Sequence, residues 1–360
     1  MFAHTLMNNS VSRARILTTC LTLLFSTLAC RTATRLIIPD TPTPQPASTA
    51  TIIPVLTSTF IPSATPITIY EASCPLVLST IIDESTVNDE NAESDEANSD
   101  PDVTYLVRYT FIGDELKASV FNTVPKSPED EQKERAAFEE IWKYFTRLIP
   151  AEQRELLNGF SIITDGKYNV LASVNQSHKD PYKWNLNVDI ADANPKTILT
   201  FTLLHEYGHL LTLNADQTAI SMPVFDNPED EDIYESEVSA CPRYFTGEGC
   251  SHPDSYINEF FNRFWTDLYA EWQIIDEEAD EDTQYTMLDD FYYTYQDQFL
   301  TDYAPTSPAE DIAESWTFFV LAPRPESTSI ANEKILFFYE YPELLELRTL
   351  ILDRICVEFQ

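Results

Sequence analysis

Glycine and basic residues are both scarce in this sequence. Only six glycines stand against 23 prolines in 360 residues, and neither of the common glycine-rich phosphate-binding motifs occurs. Lysine and arginine total 22 against 59 acidic residues, which gives a net charge of −37. Such an acidic surface repels phosphate backbones, so nucleic acid is excluded as a partner. No apolar run reaches the ~18 residues that a membrane-spanning helix needs.

Apolar residues are nevertheless sufficient for a large folded core. Hydrophobic residues make up 43% of the chain and aromatic residues 12%, which excludes a wholly disordered protein. The length allows one large or two medium-sized domains. We expect one folded domain at residues 103–360, preceded by three segments of different composition.

Residues 1–30 are predicted to be a signal peptide. Arg13 and Arg15 precede an apolar stretch, Ile16 to Ala29, that is too short to span a bilayer. It ends in Thr27-Leu28-Ala29-Cys30 and resembles a bacterial lipoprotein box, in which the cysteine is lipidated. Thr27 stands where that box usually has leucine, so ordinary secretion is the alternative. We expect an extracellular protein tethered through Cys30 to the outer face of a bacterial membrane.

Two further segments precede the expected domain. Residues 31–70 are rich in threonine, proline, serine and alanine, a composition that favours an extended linker. Residues 71–102 are acidic, and Asp83 to Asp102 is predicted to be a solvated loop. Calcium binding is the alternative, although the segment lacks the residue order of an EF-hand loop.

Two disulfides are predicted from the cysteines outside the signal peptide. Removal of Cys20 with the signal and lipidation of Cys30 leave four: Cys74, Cys241, Cys250 and Cys356. An even number in an exported chain indicates pairing. Of three possible connectivities we favour Cys241–Cys250, which closes a short loop, and Cys74–Cys356, which joins the two ends of the domain. A four-cysteine zinc site is disfavoured because no CxxC pair occurs.

Strands precede helices in the expected domain, and this order indicates an α+β fold. β-Branched and aromatic residues predict strands at 105–112, 117–123, 160–164, 170–174 and 184–190, with a hairpin turn at Gly113-Asp114-Glu115. A helix is predicted to begin at Ser127 and to end before Pro150, with apolar residues at helical spacing. The chain after Pro195 is predicted to be mainly helical.

The pattern HExxH occurs once, at His205-Glu206-Tyr207-Gly208-His209, within an apolar segment that is predicted to be helical. Positions i and i+4 of a helix share a face, so His205 and His209 can bind one metal ion. Glu206 is near enough to accept a proton from a water molecule on that ion. These buried polar groups would be costly without a shared partner, and we predict a Zn²⁺ site. A pair of partly exposed helix histidines is the alternative.

A catalytic zinc ion needs a third protein ligand. Asp216 is a weak candidate, and Ala215 occupies the position at which a metzincin has its third histidine. Further along, Tyr303-Ala304 is followed by Glu310-Asp311-Ile312-Ala313-Glu314, an ExxAE stretch. Together with HExxH, this stretch resembles the gluzincin peptidases of the anthrax lethal factor type. It also resembles bacterial surface proteins described as zinc metallopeptidases.

The resemblance implies a zincin-like domain and assigns a role to three residues. Glu310 would be the third zinc ligand, Tyr303 would assist at the developing oxyanion, and Glu314 would orient a zinc-binding histidine. The stretch between His209 and Glu310 is longer than usual in that family, so we expect an insertion at about 214–300.

Two other glutamates are open as the third ligand. Ser307-Pro308-Ala309-Glu310 also fits a capping box, and Glu314 would then bind the metal. Glu259 is the second alternative, because some gluzincins carry their ligand in an Asn-Glu pair and Asn258 precedes it.

The resemblance implies hydrolysis of peptide bonds in a protein or peptide substrate. A zinc-bound water would attack the carbonyl, with Glu206 as general base and Tyr303 as hydrogen-bond donor. The alternatives are a surface module that binds zinc without catalysis and a cell-wall amidase.

Overall fold

The computed structural model describes residues 73–87, 103–121, 135–166, 170–326 and 329–360. The predicted signal peptide with Cys30, the linker, most of the acidic segment and the expected helix start at Ser127 lie outside these residues. Within them, a five-stranded sheet is followed by a mainly helical part. This order confirms the predicted α+β class.

The described chain begins with helix α1 (Pro75–Val87). The prediction of a solvated loop from Asp83 onward is therefore wrong for residues 83–87, and residues 88–102 lie outside the described part. Packing outweighs the local charge here, because Leu78 and Ile81 of α1 are buried in the core. A disulfide from Cys74 also holds the start of the helix.

The large sheet is mixed. Its strands β1 (Thr104–Ile112), β2 (Glu115–Phe121), β3 (Leu157–Thr164), β4 (Ala172–Ser177) and β5 (Asp180–Asp189) lie in the order β2-β1-β3-β5-β4. Only β3 and β5 run parallel among these neighbours. Gly113 turns the chain between β1 and β2 at a φ of 58°, which glycine adopts without steric cost. β4 lies at one edge of the sheet, and no strand in the described part of the chain pairs with its outer side.

Helix α2 (Arg135–Leu148) packs on the sheet through the apolar face that its spacing predicts. The Trp142 ring centroid lies 4.3 Å from that of Phe111 and 5.2 Å from that of Phe160. Burial of these large rings between helix and sheet is the main apolar contact of the N-terminal half.

The remaining elements form the helical part. They are α3 (Lys196–Leu213), β6 (Thr218–Ile220), α4 (Met222–Asp226), α5 (Glu231–Ala240), β7 (Gly249–Ser251), α6 (Tyr256–Phe264), α7 (Tyr269–Asp276), α8 (Glu281–Thr294), α9 (Pro308–Leu321), α10 (Ile330–Phe338) and α11 (Pro342–Glu358). The two-stranded sheet of β6 and β7 was not predicted, because three-residue strands are too short to show alternation. It lies within the expected insertion at 214–300.

Both predicted disulfides are present. Cys74–Cys356 and Cys241–Cys250 span Cα–Cα distances of 5.5 and 5.4 Å. Disulfides of this kind form in oxidising compartments, which indicates a protein located outside the cytoplasm. None of the helices in the described ranges is both long and apolar enough to cross a bilayer.

Candidate metal centre

The two histidines of HExxH lie on one face of α3. Their ring centroids are 4.8 Å apart, and the Nε2 atoms approach to 3.1 Å. Both residues are buried, with 7% and 6% exposure for His205 and His209. The i, i+4 spacing produces this arrangement as soon as the apolar segment folds as a helix.

Glu310 reaches the histidines from the first turn of α9. Ser307 caps that helix, its hydroxyl accepting the Glu310 N–H at 3.1 Å, and Pro308 occupies the first turn. Only this half of the predicted capping box forms. The Glu310 carboxylate turns away from the cap, and Oε2 lies 2.9 Å from His205 Nε2 and 3.1 Å from His209 Nε2.

These three atoms fit the donor set of a metal ion. Among the described residues, His205, His209 and Glu310 form the group of side chains that can hold one. A tetrahedral zinc ion with bonds of ~2.1 Å separates neighbouring ligand atoms by about 3.4 Å, and the observed 2.9–3.1 Å is slightly shorter. Outward movements of a few tenths of an ångström by the three side chains therefore accommodate the ion.

The electrostatics of the three groups are strongly coupled. Burial opposes ionisation of Glu310, but the two histidines outweigh it and hold the pKa of its carboxyl well below the usual range. Burial likewise opposes protonation of His205, but Glu310 and Glu314 raise its pKa well above the ordinary value. The carboxylates of Glu310 and Glu314 thus favour positive charge at the place where the three atoms meet.

Glu314 lies one turn after Glu310 and contacts the other nitrogen of His205. Its Oε1 is 2.7 Å from His205 Nδ1, and its Oε2 accepts the Thr301 hydroxyl at 2.9 Å. A carboxylate at Nδ1 favours the tautomer whose Nε2 lone pair is available to a metal. The structure thus places Glu314 behind His205 and outside the group of three.

Glu206 lies beside the three candidate ligands and is buried, with 3% exposure. The backbone amide of Val174, which belongs to the edge strand β4, lies near its carboxylate. Burial raises the pKa of Glu206, while His209 and His205 oppose the increase. A carboxylate with a raised pKa is a better proton acceptor.

Tyr303 packs near the imidazole ring of His205. The two ring centroids are 5.7 Å apart, and the phenol is buried beside the carboxylate of Glu310. Burial raises the pKa of Tyr303 well above its usual value, and the neighbouring carboxylates add to the increase. The phenol is therefore a neutral hydrogen-bond donor at neutral pH.

Close packing of α3 against α9 brings the two motifs together. A Cβ added to Gly208 would lie 3.0 Å from Trp316 Cδ1 and 3.1 Å from Ala313 Cα. Glycine in a helix costs ~1 kcal/mol relative to alanine, and the close contact explains why it is found here. The alanine of ExxAE is the other half of this contact.

A buried ion pair holds the N-terminal end of α9 against α10. Lys334 of α10 lies 2.6 Å from the carboxylate of Asp311, both fully buried, and the Trp265 indole donates to the same oxygen at 2.7 Å. At the opposite end, Arg348 of α11 donates to the carbonyls of Phe319 and Ala322. The helix that carries Glu310 is thus held at both ends.

The other glutamate considered as a ligand lies elsewhere. Glu259 is exposed on α6 and accepts the hydroxyl of Tyr341. Asp216 is exposed after α3 and does not belong to the group of three. The sequence did not indicate Thr301, Asp311 and Lys334. Asp311 and Lys334 have partners that are distant in the chain, and the single hydroxyl of Thr301 in a loop gives no sequence pattern.

Comparison of the chain with protein-family models, with curated proteins and with solved structures finds no match. The interpretation of the site therefore depends on its geometry and chemistry.

Proposed function

We propose that this protein is a zinc-dependent peptidase of the gluzincin type. The observation that carries the proposal is the convergence of His205, His209 and Glu310 beside a further buried carboxylate, Glu206. Two histidines and one carboxylate are the protein ligands of a common class of catalytic zinc sites. The resemblance of ExxAE and Tyr303 to the gluzincin pattern supports the same proposal.

Zinc bound by these residues would supply Lewis-acid polarisation of the scissile carbonyl and would lower the pKa of a water molecule. Glu206 accepts the proton of the attacking water at its carboxylate and delivers it to the amine that leaves. Tyr303 donates its hydroxyl proton in a hydrogen bond to the developing oxyanion. Glu314 keeps His205 oriented throughout.

We also propose that the peptidase acts outside the cell, tethered through a lipid on Cys30. The two disulfides support export. The lipoprotein-like Thr27-Leu28-Ala29-Cys30 supports the tether, although this segment lies outside the described residues.

Glu206→Gln tests the mechanism in the full chain. We expect the variant to bind one zinc ion per chain and to lose hydrolysis of casein by roughly 10²–10⁴-fold, because the proton acceptor is removed. Chelation should abolish the wild-type activity and added zinc should restore it. Glu259→Gln is the matched control, because Glu259 is exposed and outside the site, and it should keep both zinc and activity.

Two results would contradict the proposal. Full hydrolysis by Glu206→Gln would exclude this residue as the general base. Zinc binding without any hydrolysis by the wild type would leave a non-catalytic zinc module, and release of peptidoglycan fragments instead of peptides would indicate an amidase.

A further inference from the structure

Thr301 makes two hydrogen bonds close to the candidate metal centre. Its hydroxyl lies 2.9 Å from Glu314 Oε2 and 3.2 Å from the backbone nitrogen of Ala304. The amide can only donate, so the hydroxyl oxygen accepts from Ala304 and its own proton is directed to Glu314. One hydroxyl is thus oriented at both its acceptor and its donor side.

Glu314 depends on this hydroxyl for the position of one carboxylate oxygen. Its Oε1 contacts His205 Nδ1 at 2.7 Å, and its Oε2 accepts from Thr301. Glu314 is buried, with 3% exposure, and Thr301 is half-buried, so loss of the hydroxyl removes a hydrogen-bond donor from a largely buried carboxylate. A carboxylate held at one oxygen alone can rotate and weaken its contact with the imidazole.

The orientation of His205 follows from that contact. With Nδ1 directed to Glu314, Nε2 faces His209 Nε2 and Glu310 Oε2, which lie 3.1 and 2.9 Å away, and in the Nδ1–H tautomer its lone pair is available to a metal. The series of contacts therefore runs from Thr301 through Glu314 to the ligand atom of His205.

The same hydroxyl also holds the segment of Tyr303. Ala304 begins a short 3₁₀ turn, Ala304–Thr306, that directly follows Tyr303. Because the Ala304 amide binds Thr301, the tyrosine lies between two fixed points, Thr301 and the helix cap Ser307.

We propose that Thr301 is a positioning residue of the metal centre. Its hydroxyl holds Glu314 so that His205 keeps its Nδ1–H tautomer and presents Nε2 to the metal, and it anchors the segment that carries Tyr303. The proposal rests on the metal centre of the proposed function. The motif on the second segment then begins at Thr301: Thr301-x-Tyr303 is followed by six residues and by the ExxAE stretch that starts at Glu310.

The zinc dissociation constant of the full chain, measured by competition with a chromophoric chelator, tests the proposal. Thr301→Val keeps the shape and removes the hydroxyl, and we expect it to weaken zinc binding by about 10–100-fold. Thr301→Ser keeps the hydroxyl and should restore an affinity close to that of the wild type. Thr317→Val is the matched control, because this buried threonine of α9 bonds only to Ala313 O in its own helix, at 2.9 Å.

Two further readouts separate positioning from a general structural role. In a double-mutant cycle, Thr301→Val should add little to the loss caused by Glu314→Gln, because the hydroxyl acts through that carboxylate. In ¹⁵N NMR spectra of the zinc-loaded protein, the His205 ring should show the Nδ1–H tautomer in the wild type and in Thr301→Ser. Its signals should be shifted or exchange-broadened in Thr301→Val.

The outcomes distinguish this proposal from the proposed function. Wild-type zinc affinity and an unaltered His205 signal in Thr301→Val would overturn the role of Thr301 and leave the peptidase intact. Additive losses in the cycle would also overturn it. Zinc binding without peptide hydrolysis by the wild type would refute the peptidase while the affinity test still decides the role of Thr301. A wild type that binds no zinc would overturn both.

Discussion

Replacement of Lys334 by methionine tests how the helix that carries Glu310 is held. Lys334 and Asp311 are both fully buried, 2.6 Å apart, and the ammonium also lies 4.1 Å from the ring centroid of Phe299. Methionine matches the length of lysine but carries no charge. The variant therefore leaves the Asp311 carboxylate buried with the Trp265 indole as its remaining donor.

The expected loss is large, because a single buried charge is costly. Removal of one partner of a buried ion pair typically lowers the free energy of unfolding by about 3–5 kcal/mol, most of it the cost of the carboxylate that is left behind. The cation–π contact with Phe299 contributes up to about 2 kcal/mol within that range. Since Asp311 follows Glu310 directly in α9, we also expect weaker zinc binding.

Urea denaturation of the full chain, with its disulfides intact, measures the loss. Lys143→Met is the control, because Lys143 is exposed on α2, and its unfolding midpoint should equal that of the wild type. Adding Asp311→Asn to Lys334→Met should recover much of the stability, since no charge is then buried. A loss below about 1 kcal/mol in Lys334→Met, or no recovery in the double variant, would refute the reasoning.

Two further predictions concern stability. The pKa of Asp189 is raised to about 7 by burial and by the adjacent Asp165 carboxyl, against 3.8 for the free group, so the folded protein keeps a proton that the unfolded chain releases. The free energy of unfolding should therefore fall as the pH rises from about 4 to about 7. Urea titrations at pH 5 and pH 8 should show a smaller decline in Asp165→Asn than in the wild type. An equal decline in both proteins would contradict the assignment. The disulfides Cys74–Cys356 and Cys241–Cys250 close separations of 282 and 9 residues. Chain entropy predicts losses of about 5.6 and about 2.6 kcal/mol when each pair is replaced by alanine, and equal losses in calorimetry would contradict this ranking.

The parts of the site that could be predicted from the sequence are those governed by local geometry. A helix fixes the angle between residues four apart, so HExxH specifies that His205 and His209 share a face whatever surrounds them. The ExxAE stretch likewise places Glu310 and Glu314 on one side of α9. The contact of Gly208 with Ala313 joins the two helices. Because it is a tertiary contact between distant segments, no local sequence pattern predicts it.

The errors arose where tertiary contacts override local composition. The acidic residues around Asp83 predicted a loop, but two buried apolar residues and the Cys74 disulfide hold a helix there. The pairing of Lys334 with Asp311 joins positions on different helices and has no local pattern. The disulfides, in contrast, could be predicted because few connectivities exist for four cysteines.

The hydrogen-bond geometry of the three candidate ligands itself argues for a cation. His205 Nε2, His209 Nε2 and Glu310 Oε2 are mutually 2.9–3.1 Å apart, and each of the three contacts needs a proton between its two atoms. The lowered pKa of Glu310 keeps its carboxylate ionised, and each imidazole Nε2 can carry one proton, so at most two protons serve the three contacts and one contact is left repulsive. Protons on both nitrogens of His205, a state that Glu310 and Glu314 favour, give a charged, buried ring and still leave that contact repulsive. A single divalent cation would accept all three lone pairs at once. Two histidines and one carboxylate are a common set of protein ligands for such an ion.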